Sequence, residues 1–401
     1  MDPLTAVVPG FFGASTIAVV VLICVVYYYL VLPMDFTRDI DGVGYDFPNR
    51  HLDGKTRAAM VRDAIRKRKT GRLLPVYPNG WFGIIESCRL GPGEVRLVNA
   101  LGQNLAVFRS ESGEAHVLDA YCPHMGANMA VGGRVKGDCL ECPFHEWQFS
   151  GHNGKCVAIP YAQKVPDFAK VRRWDSREVN GSVFVWHHAE GDPPSWVVEP
   201  IAVIEDKSWT YVGRNEFNVT SHIQDIPENA ADPPHLEAIH APGMFVASLS
   251  RHVWKAEWFP DQTQTHIAHL GLNHEIALSS KVSLFKILVR GDQIGPAYVV
   301  LNVQTSIGPI VIVQTVLPLE PLLQRVIHRM YCPWWIVPYA RFIMLGESIM
   351  FARDIAVWNH KQYMDKPVLV KEDRYIVRFR RWYSQFFSDN SPRFQQDTLD
   401  W

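Results

Sequence analysis

The chain has 401 residues, 47% of them hydrophobic, with 40 Lys and Arg against 41 Asp and Glu. Such a length holds two domains with separate cores, and a net charge of −1 leaves no basic excess for nucleic acid. The seven cysteines suggest no disulfide framework, which fits a reducing compartment.

Phe11 to Leu32 is a run of 22 residues without a charge, long enough to cross a bilayer core of about 30 Å as a helix. Tyr27, Tyr28 and Tyr29 stand near its end, where aromatic rings favour the interface. A cleaved signal peptide fits less well, because the run is too long and no Lys or Arg precedes it. Residues 1–35 are therefore expected to be a retained N-terminal transmembrane helix. Arg38, Arg50, Lys55, Arg57, Arg62 and the run Arg66 to Lys69 follow it, which places the bulk of the chain on the cytoplasmic side. On that topology the sequons at Asn180 and Asn218 stay unglycosylated. Residues 36–75 read as a basic juxtamembrane linker. Within it, Thr56 to Thr70 is a helix that either lies on anionic headgroups or edges the next domain.

Residues 76–190 alternate short apolar runs with Gly and Pro turns, the pattern of a small all-β domain. Inside it, Cys122-Pro-His124 and Cys142-Pro-Phe-His145 are separated by seventeen residues. Two Cys–His pairs at this spacing suit a Rieske [2Fe–2S] cluster, with two thiolates on one iron and two imidazoles on the other. The competing reading is a zinc site. Zinc fingers carry both cysteines before both histidines, whereas the order here is Cys-His then Cys-His. Cys139 forms a Cys-x-x-Cys with Cys142, but pairing Cys142 with His145 explains more residues, so Cys139 is expected to be a bystander.

Residues 191–401, after the Pro-rich boundary at Asp192, read as a second domain. It contains Asn229-x-x-Asp232-x-x-His235-x-x-x-x-His240. Two histidines and a carboxylate can hold mononuclear Fe(II) on one face and leave the other open for O2 and substrate. The third ligand must lie elsewhere. Arg341 to Tyr363 reads as a long helix with two acids, Glu347 and Asp354, seven apart and so on one face. Strand patterns at Thr210, Thr265, Lys281, Ala297 and Ile310 predict an antiparallel sheet wrapped on that helix, an α+β domain. His266, His269 and His274 are expected to be structural, since His266 and His269 leave a strand on opposite faces. Tyr331 to Tyr339 is strongly aromatic and suits a substrate channel, a membrane surface or plain core packing.

From Gly80 onward the chain resembles the Rieske non-haem iron oxygenases, most closely in Leu118-Asp-Ala-Tyr-Cys122-Pro-His124-Met-Gly-Ala127 and in the Asn229 to His240 segment. The N-terminal apolar run makes the membrane-bound Neverland-type cholesterol 7-desaturases of animals the nearest likeness. The resemblance implies a helix-grip catalytic domain. It makes Asp354 the third iron ligand, because Asp354-Ile-Ala-Val-Trp358 is similar to the family's late Asp-x-x-x-Trp, and leaves Glu347 in reserve. It gives Asp232 the role of bonding a ligand histidine and linking it to His145 of the partner subunit in a homotrimer, with Asn229 beside it. It also implies a separate reductase as the source of NAD(P)H electrons, since the chain has no nucleotide-binding fingerprint. The implied reaction is desaturation of cholesterol at C7–C8 to 7-dehydrocholesterol, in the endoplasmic reticulum membrane. A hydroxylase of another sterol or membrane lipid would use the same ligands. A membrane-bound electron carrier would need the cluster alone.

Overall fold

The computed structural model describes residues 9–30, 32–47, 53–241, 251–279 and 282–394. The first residues of the expected anchor, with Val31, Arg50 and Lys281, lie outside them. The N-terminal apolar run forms a helix, Pro9–Leu30. Among the described residues, however, no helix is long and apolar enough to cross a membrane. The described apolar side chains of this helix, among them Ile17, Leu22 and Val25, are exposed.

Three small antiparallel sheets build the first domain. Gly80–Glu86 pairs with Ser182–His187 and through it with Ser176–Val179. Val95–Ala100, Gln103–Arg109 and Ala115–Asp119 form a meander. A four-stranded sheet from Arg134–Lys136 to Cys156–Ala158 carries one cluster loop. Its core is Phe108, Leu118, Leu140 and Phe149, all fully buried, packed around Cys122 and Cys142.

The second domain is an eight-stranded sheet with one long helix across it. The sheet order begins Met34–Arg38, Thr210–Val219, Leu323–Cys332 and Pro309–Glu320. It continues through Tyr298–Gln304, Val282–Ile294 and Ile267–Ser279 to Arg251–Pro260. Only the first pair is parallel. Both faces of the central strands are apolar because both are covered. Ile310, Ile312 and Met330 pack under the helix residues Val337, Ala340 and Met344. Val311, Val313 and Tyr331 face Trp81, Phe184 and Trp186 of the first domain. The α+β architecture expected from the sequence is therefore present.

Two details depart from the expectations, and a third decides between alternatives left open for the basic helix. Residues 34–38, divided by the expected anchor–linker boundary, are an edge strand of the catalytic sheet. The basic helix is Gly54–Lys67, capped by Asp53, whose carboxylate accepts from Lys55 N and Thr56 N at 3.0 and 3.1 Å. It docks on the protein. Val61 is buried, and Arg68, just past the helix, donates to the Lys361 carbonyl at 2.8 Å. The long helix runs Val337–Trp358, starting earlier than the sequence reading, with Pro338 suited to its first turn, and ending earlier, at a cap on Asn359. Of the aromatic stretch, Tyr331 is buried, while Trp334 and Trp335 stand 75% and 60% exposed beside the start of that helix.

Candidate metal centres

The two cluster loops are built alike. Gly126 N donates to Cys122 O and Glu146 N to Cys142 O, each four residues on, at 2.9 and 3.1 Å. Both residues closing these turns have positive φ, 74° at Gly126 and 58° at Glu146. The turns bring the four expected ligands together. The His124 and His145 rings lie 4.8 Å apart at 72°, and His124 stacks on Trp147 at 4.6 Å. Cys122 and Cys142 are both buried. Burial first, and then the neighbouring Cys142, push the Cys122 thiol up to about 11. Two close buried thiols become thiolates only against compensating positive charge. His145 Nδ1 is buried without a hydrogen-bond partner. This donor set fits an iron–sulfur cluster. Cys139 lies in the strand Cys139–Glu141, in register with Lys136 and Ser150, as a bystander would.

Gly133 lets the loops approach. A Cβ there would lie 2.0 Å from Met129 O and 2.8 Å from Glu141 O, both backbone atoms. Gly133→Ala is expected to block cluster assembly, read as loss of the visible Rieske absorbance and of the cluster's share of protein iron. A wild-type spectrum in that variant would mean the loops can move apart.

The second constellation starts with a kinked segment. Pro233–His235 is one helical turn, and Leu236–His240 is a π-type turn. In an α-helix, residues five apart diverge by about 140° (3.6 residues per turn). The wider turn brings His235 and His240 round to one side. The long helix supplies Asp354. Ligand atoms of His235, His240 and Asp354 all lie within 4.8 Å of one another. His240 Nε2 is 3.1 Å from Asp354 Oδ1. His240 and Asp354 are buried, and His240 Nδ1 has no partner. His235 Nδ1 contacts the Asp232 carbonyl, which leaves Nε2 for a ligand. Two imidazoles and a carboxylate converging in a buried place fit an octahedral metal with open positions.

Asp232 Oδ2 lies 3.9 Å from His235 Nδ1. Burial holds the Asp232 carboxyl above the ordinary carboxylate range, with His235 opposing. Asn229 closes the preceding turn, its carbonyl accepting from Asp232 N at 3.2 Å. Glu347 does not join the histidine pair; it contacts His328 and Asn215. His266 stacks on Trp196, His274 stacks on Trp254, and His269 bridges Asp261 and Asp292, so all three have structural partners.

Supports invisible to motif reading hold this segment. Arg380 forms a two-pronged pair with Glu228 at 2.7 and 2.8 Å. Lys361 and Tyr363 bond Asp225 at 2.5 and 2.7 Å. Arg353 donates to the Ile239 carbonyl at 3.2 Å, next to His240. The Trp254 ring lies 6.5 Å from that of His240. Most of these partners are more than a hundred residues apart in sequence, and no local spacing announces them.

Comparison with known proteins matches a family model to each of the two domains. Residues 80–169 match the Rieske [2Fe-2S] domain model. Residues 185–387 match the 3-ketosteroid 9alpha-hydroxylase C-terminal domain model. The chain is 46% identical to cholesterol 7-desaturase nvd of Xenopus laevis, covering 93% of this chain and 85% of that one. It is 41% identical to cholesterol 7-desaturase nvd of Drosophila melanogaster, covering 93% and 91%. A probable 3-ketosteroid-9-alpha-monooxygenase oxygenase component of Rhodococcus rhodochrous is 32% identical, covering 82% and 84%. Among solved structures, dicamba monooxygenase bound to dicamba has the same fold, with a TM-score of 0.60 at 14% identity over 77% of this chain and 97% of that one.

Proposed function

The chain belongs to the cholesterol 7-desaturase family of Rieske oxygenases, and from that membership we propose that it desaturates cholesterol at C7–C8. The balance is cholesterol, O2, NAD(P)H and a proton giving 7-dehydrocholesterol, NAD(P)+ and two waters. Electrons come from a separate reductase. The convergence of His235, His240 and Asp354 carries the oxygenase reading. The identity of nearly half the residues with a named sterol desaturase supports the substrate.

Cys122, His124, Cys142 and His145 would hold the [2Fe–2S] cluster, and His235, His240 and Asp354 the Fe(II). When bound, these groups supply one-electron transfer and O2 activation. The chain's own residues supply placement. The Asp232 carbonyl fixes the His235 ring. Burial of His240 and Asp354 excludes bulk water from the reacting face. The Asp232 carboxylate keeps 31% exposure, which suits a group that also reaches His145 of the partner subunit in a homotrimer. Asn229 sets the turn that presents it.

The division into 1–35, 36–75, 76–190 and 191–401 is proposed as the functional one. The Pro9–Leu30 helix is proposed as a single-pass anchor in the endoplasmic reticulum membrane with the catalytic part cytoplasmic. Its support is the exposure of its described apolar side chains, which water would penalise. A second reading, hydroxylation of another sterol, draws on the match of residues 185–387 to a 3-ketosteroid hydroxylase model.

The test supplies membranes from expressing cells with NADPH and isotope-labelled cholesterol. Labelled 7-dehydrocholesterol in the extract supports desaturation. A labelled hydroxysterol in its place would favour the second reading, and no sterol product would reject both. Retention of the protein in the membrane after alkaline carbonate washing supports the anchor, and its release would reject it.

A further inference from the structure

A further group of ligating side chains lies on the first domain, outside the four cluster residues. His116 stands in the strand Ala115–Asp119, with Glu114 just before it. His152 stands in the turn after the strand Gln148–Ser150. Ligand atoms of Glu114, His116 and His152 all lie within 4.8 Å of one another. His116 Nδ1 and His152 Nδ1 are each 4.0 Å from the same oxygen, Glu114 Oε1. The two rings stand edge to face, 4.8 Å apart at 82°.

Three features separate this group from a chance meeting of surface side chains. The first is that His116 is buried. Gly151 makes room for its ring, since a Cβ there would lie 2.4 Å from His116 Cγ. His116 Nε2 is buried without a hydrogen-bond partner. Burial, ahead of the neighbouring charges, lowers the pKa of the ring, so the neutral imidazole has the Nδ1 lone pair to offer.

The second is spacing. Both 4.0 Å separations are too long for hydrogen bonds, yet they suit donors that share an ion. Nitrogen and oxygen ligands of tetrahedral zinc sit roughly 3.3 Å from each other. Movements of about 1 Å close the set, and Glu114 and His152 are exposed side chains that can make them.

The third is support from behind. His152 Nε2 lies 3.6 Å from Asp138 Oδ2. Ser112 Oγ donates to Asp138 Oδ1 at 3.0 Å, and Gly151 N donates to the Asp138 carbonyl at 2.8 Å. A carboxylate behind a ligand imidazole orients the ring and raises its basicity. Two imidazoles in the donor set count against calcium and magnesium, which take oxygen ligands, and favour zinc.

We propose that Glu114, His116 and His152 bind a zinc ion, with Asp138 orienting His152. The strand that holds His116 runs on toward Cys122, and the strand before His152 begins three residues after His145. The ion clasps together the supports of the two cluster loops. It carries no electron, because zinc has no redox chemistry.

The test uses the full-length holoenzyme in detergent micelles, with both iron centres loaded, and adds zinc alone. One zinc per chain is expected to stay bound through gel filtration, and its X-ray absorption fine structure should show two imidazoles. His152→Ala and Glu114→Ala are expected to weaken zinc binding more than about 10-fold, with the Rieske absorbance unchanged. Zinc should raise the temperature at which the wild type loses that absorbance and should not move it in His152→Ala. Comparison with His152→Ala also subtracts any zinc held by His235, His240 and Asp354, which that variant keeps. Without an ion, a protonated His152 would bridge Glu114 and Asp138, and His116 would have no part. Wild-type binding only at millimolar zinc, or equal binding by the variants, would favour that account and overturn the proposal. Zinc bound with no thermal effect would overturn the clasp.

Discussion

Asp354→Ala is expected to abolish turnover and strip the mononuclear iron while leaving the Rieske spectrum intact. Protein iron should fall to the two atoms of the cluster. The activity loss should exceed about 100-fold, the upper range for changes that merely disturb a ligand's support. The reasoning is geometric. Asp354 is the carboxylate of the trio, buried and 3.1 Å from His240, and its removal leaves two imidazoles with no anionic partner. Glu347→Ala in parallel should keep the mononuclear iron, because Glu347 is engaged by His328 and Asn215. Metal analysis with electron paramagnetic resonance separates the outcomes. Iron retained in Asp354→Ala and lost in Glu347→Ala would reverse the assignment.

The second large effect is a rescue. His145→Ala and Asp354→Ala chains, each inactive alone, are expected to recover activity when co-expressed. If the cluster half of one chain serves the iron half of its neighbour, a mixed ring holds productive pairs. In a head-to-tail trimer that contains both kinds of chain, one interface in three holds such a pair, so about a third of wild-type turnover is expected. Transfer confined within one chain predicts none, because no single chain then carries both intact centres. Product assay on the co-purified mixture, made with two different affinity tags, reads the answer directly.

The four residues proposed for the cluster and the two histidines proposed for the iron were legible as groups because each set is local. A turn that must place Cys and His two or three residues apart leaves its spacing in the chain, and so does a five-residue spacing closed by a π-type turn. Asp354 was legible only as one of two acids on a helix. The strand pairing that gives Glu347 its other partners joins residues more than a hundred positions apart, and Leu323–Cys332, which carries His328, was not read as a strand at all. Met34–Arg38 was missed for a similar reason. Five residues with two charges show no alternation to read, and their pairing partner, Gly213 to Phe217, lies far along the chain. The helix Arg374–Tyr383 was also missed, although its Phe379, Trp382 and Tyr383 pack on Trp258 in the core behind the iron segment.

That early edge strand bears on how the enzyme meets its substrate. Only three residues separate the end of the Pro9–Leu30 helix from Met34. Fully extended they reach about 10 Å, and Arg341 further joins the two parts by donating to the Tyr28 carbonyl at 3.2 Å. On the proposed anchoring, such a stub cannot act as a leash. The catalytic body would ride at one height and tilt, and its encounters with sterol would be a search within a plane. Turnover would then follow the mole fraction of sterol among the lipids, not its amount per volume of medium. Lengthening the stub with a flexible insert would be expected to lower the rate at a given mole fraction, with the metal sites untouched.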